Sequence, residues 1–178
     1  GLCVPGGAKY SRSDIEVGLT QFITELGAKG LAWFKVAPDE ATGAASLKSN
    51  IAKFFTPEQH KQLIDRFEAK NDDLILMVAD QPAIVNKVLA PLRVKLGKDT
   101  GLCDPSKFEF VWVIDFPLLE WNVDENRFDS LHHPFTAPVP EDLHKLDTDP
   151  GNIRSQAYDL VVNGSEIGGG SVRIHNME

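Results

Sequence analysis

The sequence predicts an α+β protein in two parts, and three observations carry that prediction. Up to about residue 100, segments with apolar residues at helical spacing alternate with short, continuous apolar runs. Past a stretch rich in glycine, aspartate and proline between Gly97 and Pro105, the chain becomes strand-rich. Near the end, Asn163-Gly164 separates two strand-forming runs, a strong hairpin signal because both loop positions of a type I′ turn need positive φ. The expected parts are residues 1–102 and 103–178.

In the first part, Ser13 with Glu16 has capping-box spacing, and Ile15, Leu19, Phe22, Ile23 and Leu26 follow a helical stripe that Gly27 ends. Leu31 to Val36 is a strand. Thr56-Pro57 opens a second helix with Leu63, Ile64 and Phe67 on one side. Leu74 to Ala79 reads as a buried strand, and Asp80 as the cap of a third helix from about Gln81 to Leu96, which Pro91 should kink or break. These apolar stripes are core. In the second part, Phe108 to Ile114, Leu118 to Val123, Arg127 to His132 and the terminal hairpin are strands, with a turn at Asp124-Glu125-Asn126. Thr136 to Gln156, rich in Pro, Asp, Glu and Lys, reads as a mobile loop with a short helix around Pro140 to Lys145, able to act as a lid or as a passive connector.

The composition is that of a globular protein: 178 residues, 42% hydrophobic and 25% charged. No run is apolar enough to span a membrane, and the start lacks signal-peptide organisation. Cys3 and Cys103 have no metal spacing, so the expected setting is cytoplasmic with inert thiols. A net charge of −8 argues against electrostatically driven RNA binding. An RNA contact would be local. Its candidate cations are Arg93, Lys95 and Lys98, which equally suit the negative end of a helix.

The hairpin carries the chemistry. Counting from the Asn163-Gly164 turn, Val162 faces Ser165, Val161 faces Glu166 and Asp159 faces Gly168, so Asp159 and Glu166 share a surface as diagonal neighbours. Two carboxylates beside glycines suit Mg²⁺ with nucleotide phosphates. A solvent-facing hairpin with outward acids is the plain alternative. Simple alternation points Arg173 to the opposite face from Glu166. For both to line one pocket, the triple glycine Gly168-Gly169-Gly170 must contain a bulge or kink.

Three blocks together resemble the catalytic domain of bacterial-type aspartyl-tRNA synthetases: Phe110 to Trp121, Leu131-His132-His133-Pro134-Phe135-Thr136, and the hairpin through Arg173-Ile174-His175. Val4-Pro5-Gly6-Gly7-Ala8, Ser11 to Ile15 and Gly27 to Trp33 resemble the GAD domain inserted in those enzymes. The resemblance implies a two-layer α/β GAD domain followed by part of an antiparallel class II catalytic sheet. It implies ATP and Mg²⁺ binding by Glu166, with Asp159 as companion metal ligand, and aspartate binding by Arg173 and His132. His133, Gly168, Gly169 and Gly170 would be site neighbours. It implies L-aspartate, ATP and tRNA as partners of a homodimeric ligase. Activating an amino acid with ATP is displacement at phosphorus, which needs charge compensation more than a general base. An arginine fork selects a planar carboxylate through two parallel hydrogen bonds. The arginine motifs, the dimer motif and the anticodon-binding domain of the family have no counterpart in these residues. The isolated chain is therefore expected to be an inactive segment with exposed sheet edges, poorly ordered or self-associating. A different class of reading is a non-catalytic tRNA- or protein-contact module, because GAD-like domains also resemble parts of tRNA-dependent amidotransferase subunits.

Overall fold

A computed structural model describes residues 1–39 and 43–175. The chain forms two compact units, Gly1–Asp104 and Pro105–Glu178, and combines helices with antiparallel sheets, so the α+β class holds.

The first unit is built on a four-stranded antiparallel sheet in the order β1-β4-β2-β3, with β1 at Leu2–Val4, β2 at Ala32–Pro38, β3 at Ala45–Lys48 and β4 at Leu74–Met77. Strand alternation divides its side chains between two cores. Val4, Trp33, Leu74 and Leu76 join Ile15, Leu19 and Ile23 of the first helical segment and Val88, Leu92 and Leu96 of the third helix. Phe34, Val36, Leu47 and Ile75 form the other core, against which Leu63, Ile64 and Phe67 pack. Helices therefore cover both faces of this sheet, adding a layer to the α/β arrangement expected there.

The first helical segment is a π-helical turn, Asp14–Leu19, continued by α1, Thr20–Glu25. Its start is capped two residues earlier than Ser13 and Glu16 suggested. The Asp14 backbone N–H donates to Ser11 Oγ at 3.1 Å, and the Ser11 N–H donates to Asp14 Oδ2 at 2.7 Å. Glu16 pairs with Arg12 instead, at 2.8 Å. The second helix, α2 (Pro57–Phe67), has a complete capping box: Gln59 N–H donates to Thr56 Oγ1, and Gln59 Oε1 accepts from Thr56 N–H.

The third helix, α3, runs without interruption from Pro82 to Asp99, and Pro91 neither ends it nor breaks it. A proline inside a helix costs ~3 kcal/mol. Burial of Val88, Leu92 and Leu96 on the same helix returns roughly 1.5–3 kcal/mol for each side chain, enough to carry the helix through. Gln81 rather than Asp80 is the N-cap, and Asp80 Oδ1 accepts from the adjacent Gln81 N–H.

In the second unit a three-stranded antiparallel sheet has the order β5-β8-β9, with β5 at Phe110–Val113, β8 at Ala157–Val162 and β9 at Ser165–Ser171. A separate ladder pairs β6 (Leu119–Asn122) with β7 (Arg127–Ser130). The segment from Thr136 to Gln156, expected to be a mobile loop, is pinned. Isolated bridges join Pro138 to Ser155 and Pro117 to Arg154, and Thr136, Ala137, Asp142, Ile153 and Ser155 are buried. Its short helix, a 3-10 turn at Pro140–Lys145, places Asp142 where Arg154 and Lys145 both reach it at 2.8 Å.

Candidate functional site

The hairpin turns on Asn163 and Gly164, at φ 48° and 84°, as a type I′ turn requires. Asn163 also ties the tip down: its Oδ1 accepts from Glu109 N–H at 3.0 Å, and its Nδ2 donates to the Lys107 carbonyl at 2.9 Å. From the turn, Val162 pairs with Ser165 and Val161 with Glu166. There the register shifts. Leu160 pairs with Gly168 and Asp159 with Gly169, leaving Ile167 as an extra residue on β9. Asp159 therefore faces Gly169, not Gly168, and the bulge lies just before the triple glycine rather than within it.

This one residue changes which side chains meet. A bulge reverses the parity of everything that follows. Asp159, Val161, Glu166, Gly169, Ser171 and Arg173 now fall on one face, with Val111 and Val113 beside them on β5. Arg173 thus shares a face with both carboxylates. The strand direction continues to it through the Thr136–Arg173 bridge, and Thr136 Oγ1 lies 3.4 Å from Ser171 Oγ on the same side.

The three glycines adopt no positive φ. Their use is the missing side chain. A Cβ at Gly169 would collide with Asp159 Oδ1, and one at Gly170 would come within 3.0 Å of the Tyr158 hydroxyl oxygen. The Asp159 carboxylate lies directly over the backbone of Gly169, a close approach that only glycine permits. Glu166 and Arg173 are exposed and Asp159 is half-buried. Among the described residues no three His, Cys, Asp or Glu side chains converge as a metal cage. A cation here would rest on the two carboxylates and complete its shell with ligand oxygens and water, which is the habit of Mg²⁺.

The two histidines separate. The His132 ring packs edge-on against Phe116, with centroids 4.7 Å apart, and among the described residues it makes no hydrogen bond to Arg173. It is His133 that meets the arginine: Nδ1 lies 2.6 Å from Arg173 Nη1 and also accepts from the Phe135 N–H at 3.2 Å. Sequence reasoning missed a second charged cluster in this unit. Arg154 joins Asp142 and, at 3.7 Å, Asp115, a residue held at φ 58° just after β5. Asp142 and Arg154 are twelve residues apart, a separation that no local pattern marks.

Of the candidate RNA-contacting cations, Lys95 is engaged, paired with Asp99 at 2.8 Å and 6.0 Å from the Phe22 ring centroid. Arg93 and Lys98 are exposed on α3. No helix is long and apolar enough to cross a membrane among the described residues.

Residues 1–89, half of the sequence, match the GAD domain family. The chain belongs to that family. Similarity to named proteins extends well past the GAD domain. The chain is 52% identical over 172 residues to an aspartate–tRNA(Asp/Asn) ligase of Anoxybacillus flavithermus, covering 96% of the chain and 28% of that relative. It is 48% identical over all 178 residues to the enzyme of that name from Protochlamydia amoebophila, again 28% of its length. It is 49% identical over 170 residues to an aspartate–tRNA ligase of Staphylococcus epidermidis, covering 96% of the chain and 28% of the relative. The GAD domain and the strand-rich unit after it thus span a little over a quarter of these relatives.

Proposed function

We propose that this chain is the GAD domain and part of the aspartate-activating site of an aspartate–tRNA ligase, which activates L-aspartate with ATP to aspartyl-adenylate, releasing pyrophosphate, and transfers the aspartyl group to tRNA, releasing AMP, in the cytoplasm. The observation that carries the reading is the bulge at Ile167, which sets Arg173 on the face of Asp159 and Glu166. An aspartyl-adenylate site needs a carboxylate fork and a metal-holding acid pair within one surface, and that face offers both. The similarity to aspartate–tRNA ligases over nearly the whole chain supports the same reading.

In this reading Arg173 receives the substrate's side-chain carboxylate, with His132 as a further aspartate contact. It discriminates against asparagine because an amide offers one acceptor where the fork expects two. Glu166 and Asp159 would hold Mg²⁺, which offsets charge on the ATP phosphates. Gly169 leaves the space in which Asp159 lies, and the neighbouring glycines let a flat ligand approach the backbone. The 178 residues alone would not catalyse. A homodimeric ligase supplies the remaining groups, and Arg93 and Lys98 are the cations open to a local tRNA contact.

The test is aspartate-dependent ATP–pyrophosphate exchange by the full-length protein. Arg173→Lys keeps the charge but loses the fork, and is expected to raise the KM for aspartate by about a hundredfold, with a small effect on that for ATP. Glu166→Gln is expected to weaken Mg²⁺ dependence and ATP use instead. A full-length protein that binds tRNA without any exchange activity would favour the non-catalytic contact module.

A further inference from the structure

We propose that His133 is a positioning residue for Arg173, a neutral acceptor that holds one guanidinium nitrogen and leaves the rest of the fork, with its full charge, for an anionic ligand. Two donors converge on His133 Nδ1: Arg173 Nη1 at 2.6 Å and the Phe135 backbone N–H at 3.2 Å. Neither can give up its proton near neutral pH, so Nδ1 carries the lone pair and the ring proton sits on Nε2. The ring is fixed by more than these bonds. It packs edge-on against Phe135, centroids 5.1 Å apart, and the Phe135 carbonyl accepts from Ile174 N–H at 2.9 Å. The strand that carries Arg173 therefore also holds the histidine that orients it.

The nature of the partner matters as much as its position. Arg127 and Arg154 are each steadied by carboxylates. Arg173 has no ion pair among the described residues. A carboxylate in the place of His133 would orient the guanidinium equally well, but it would neutralise it and compete with an incoming acid. A neutral imidazole supplies the geometry without that cost. The choice of histidine thus sharpens selection for a negatively charged ligand.

This inference rests on reading Arg173 as the aspartate-binding residue, and the experiment separates the two. In the full-length protein, His133→Ala is expected to raise the KM for aspartate about tenfold, as for a lost hydrogen bond to a charged group, and to leave that for ATP within about twofold. His133→Asn, whose Oδ1 can stand where Nδ1 stands, should restore most of the loss. His133→Asp keeps an acceptor but adds a charge, and should remain as impaired as His133→Ala. If Arg173→Lys raises the aspartate KM while His133→Ala does not, the positioning role is overturned and the aspartate site stands. If neither changes it, the aspartate site falls and this role with it. A readout that needs no variant to stay active is the nitrogen NMR signal of His133 in histidine-labelled protein, assigned by its absence in His133→Asn. An unprotonated Nδ1 is expected, and a protonated Nδ1 overturns the proposal.

Discussion

Asp142 gathers the segment that the composition made look loose. Its carboxylate accepts from Arg154 Nε at 2.8 Å and Nη2 at 3.4 Å, from Lys145 Nζ at 2.8 Å and from the Arg154 backbone N–H at 3.0 Å. The Arg154 side-chain bonds, then that of Lys145, hold its carboxyl well below the usual carboxylate range. A depressed acid stabilises the fold at every pH above the unfolded value of about 4, and the contribution drains away as pH falls below that toward the folded value. Asp142→Asn is therefore expected to lower the urea midpoint at pH 7, with the gap to the native chain closing in strong acid. Equal midpoints at pH 7 would refute the pin. Cys3 runs the other way. Burial first, then the charge of Asp73 and the Sγ contact to its Oδ2 at 3.7 Å, push its thiol up to about 11. Its share of stability is whole below about 9 and is lost as pH climbs through 11. At pH 8 an alkylating reagent should label the exposed Cys103 and spare Cys3 until the chain is unfolded. Equal labelling rates in the native chain would contradict this.

At the scale of elements, the bulge on β9 is the decisive feature, and it can be tested through glycine. Gly169→Ala introduces a Cβ against the tip of the Asp159 side chain, which can swing away, so stability should stay within about 1 kcal/mol. The displaced carboxylate should weaken Mg²⁺-dependent exchange in the full-length protein. Gly7→Ala is the contrast. There a Cβ would lie 2.7 Å from Leu74 Cβ and 3.0 Å from Val4 Cβ, in a packed core that cannot yield cheaply. A loss of about 1–3 kcal/mol is expected by chemical denaturation, and no loss would mean that the core is looser than its burial implies. These elements also mark how far the sequence could be read. The Thr56-Pro57 start of α2 and the type I′ turn were legible because each depends on two neighbouring residues. The pairing of Asp159 was not, because alternation counted from the turn holds only until an extra residue enters, and Ile167 carries no mark of one. Strand β3 escaped notice because Leu47 is its only buried residue. Pro91 misled because local propensity ignored the three core side chains that hold α3 together. Of the candidate site, residue types were legible and adjacency was not: the arginine partner is His133, while His132 lies on Phe116.

At the scale of the molecule, the second unit leaves its sheet uncovered. Among the described residues β5 has one neighbour, β8, and every residue from Phe110 to Val113 is exposed, with Phe110 at 62% and Trp112 at 59%. Phe108 and Ile114 extend the apolar run, at 74% and 61%. A flat edge strand with no charge and no proline is a template for pairing with another strand. Net charge of −8 opposes association by repulsion, and salt screens that repulsion within about 10 Å at 0.1 M. Apolar edge pairing and charge-driven contact therefore predict opposite responses to salt. The isolated 178-residue chain should associate more strongly as salt is raised, seen by sedimentation velocity over a concentration series. Phe110→Lys, on the face opposite Asp159, should return it toward the monomer by placing a charge on the edge. Association that weakens with salt, or that survives Phe110→Lys unchanged, would assign the contact to another surface. In the full-length protein the same substitution reads the other possibility. If further chain covers β5 there, as the more than threefold greater length of the relatives allows, a buried lysine must lower stability rather than improve solubility.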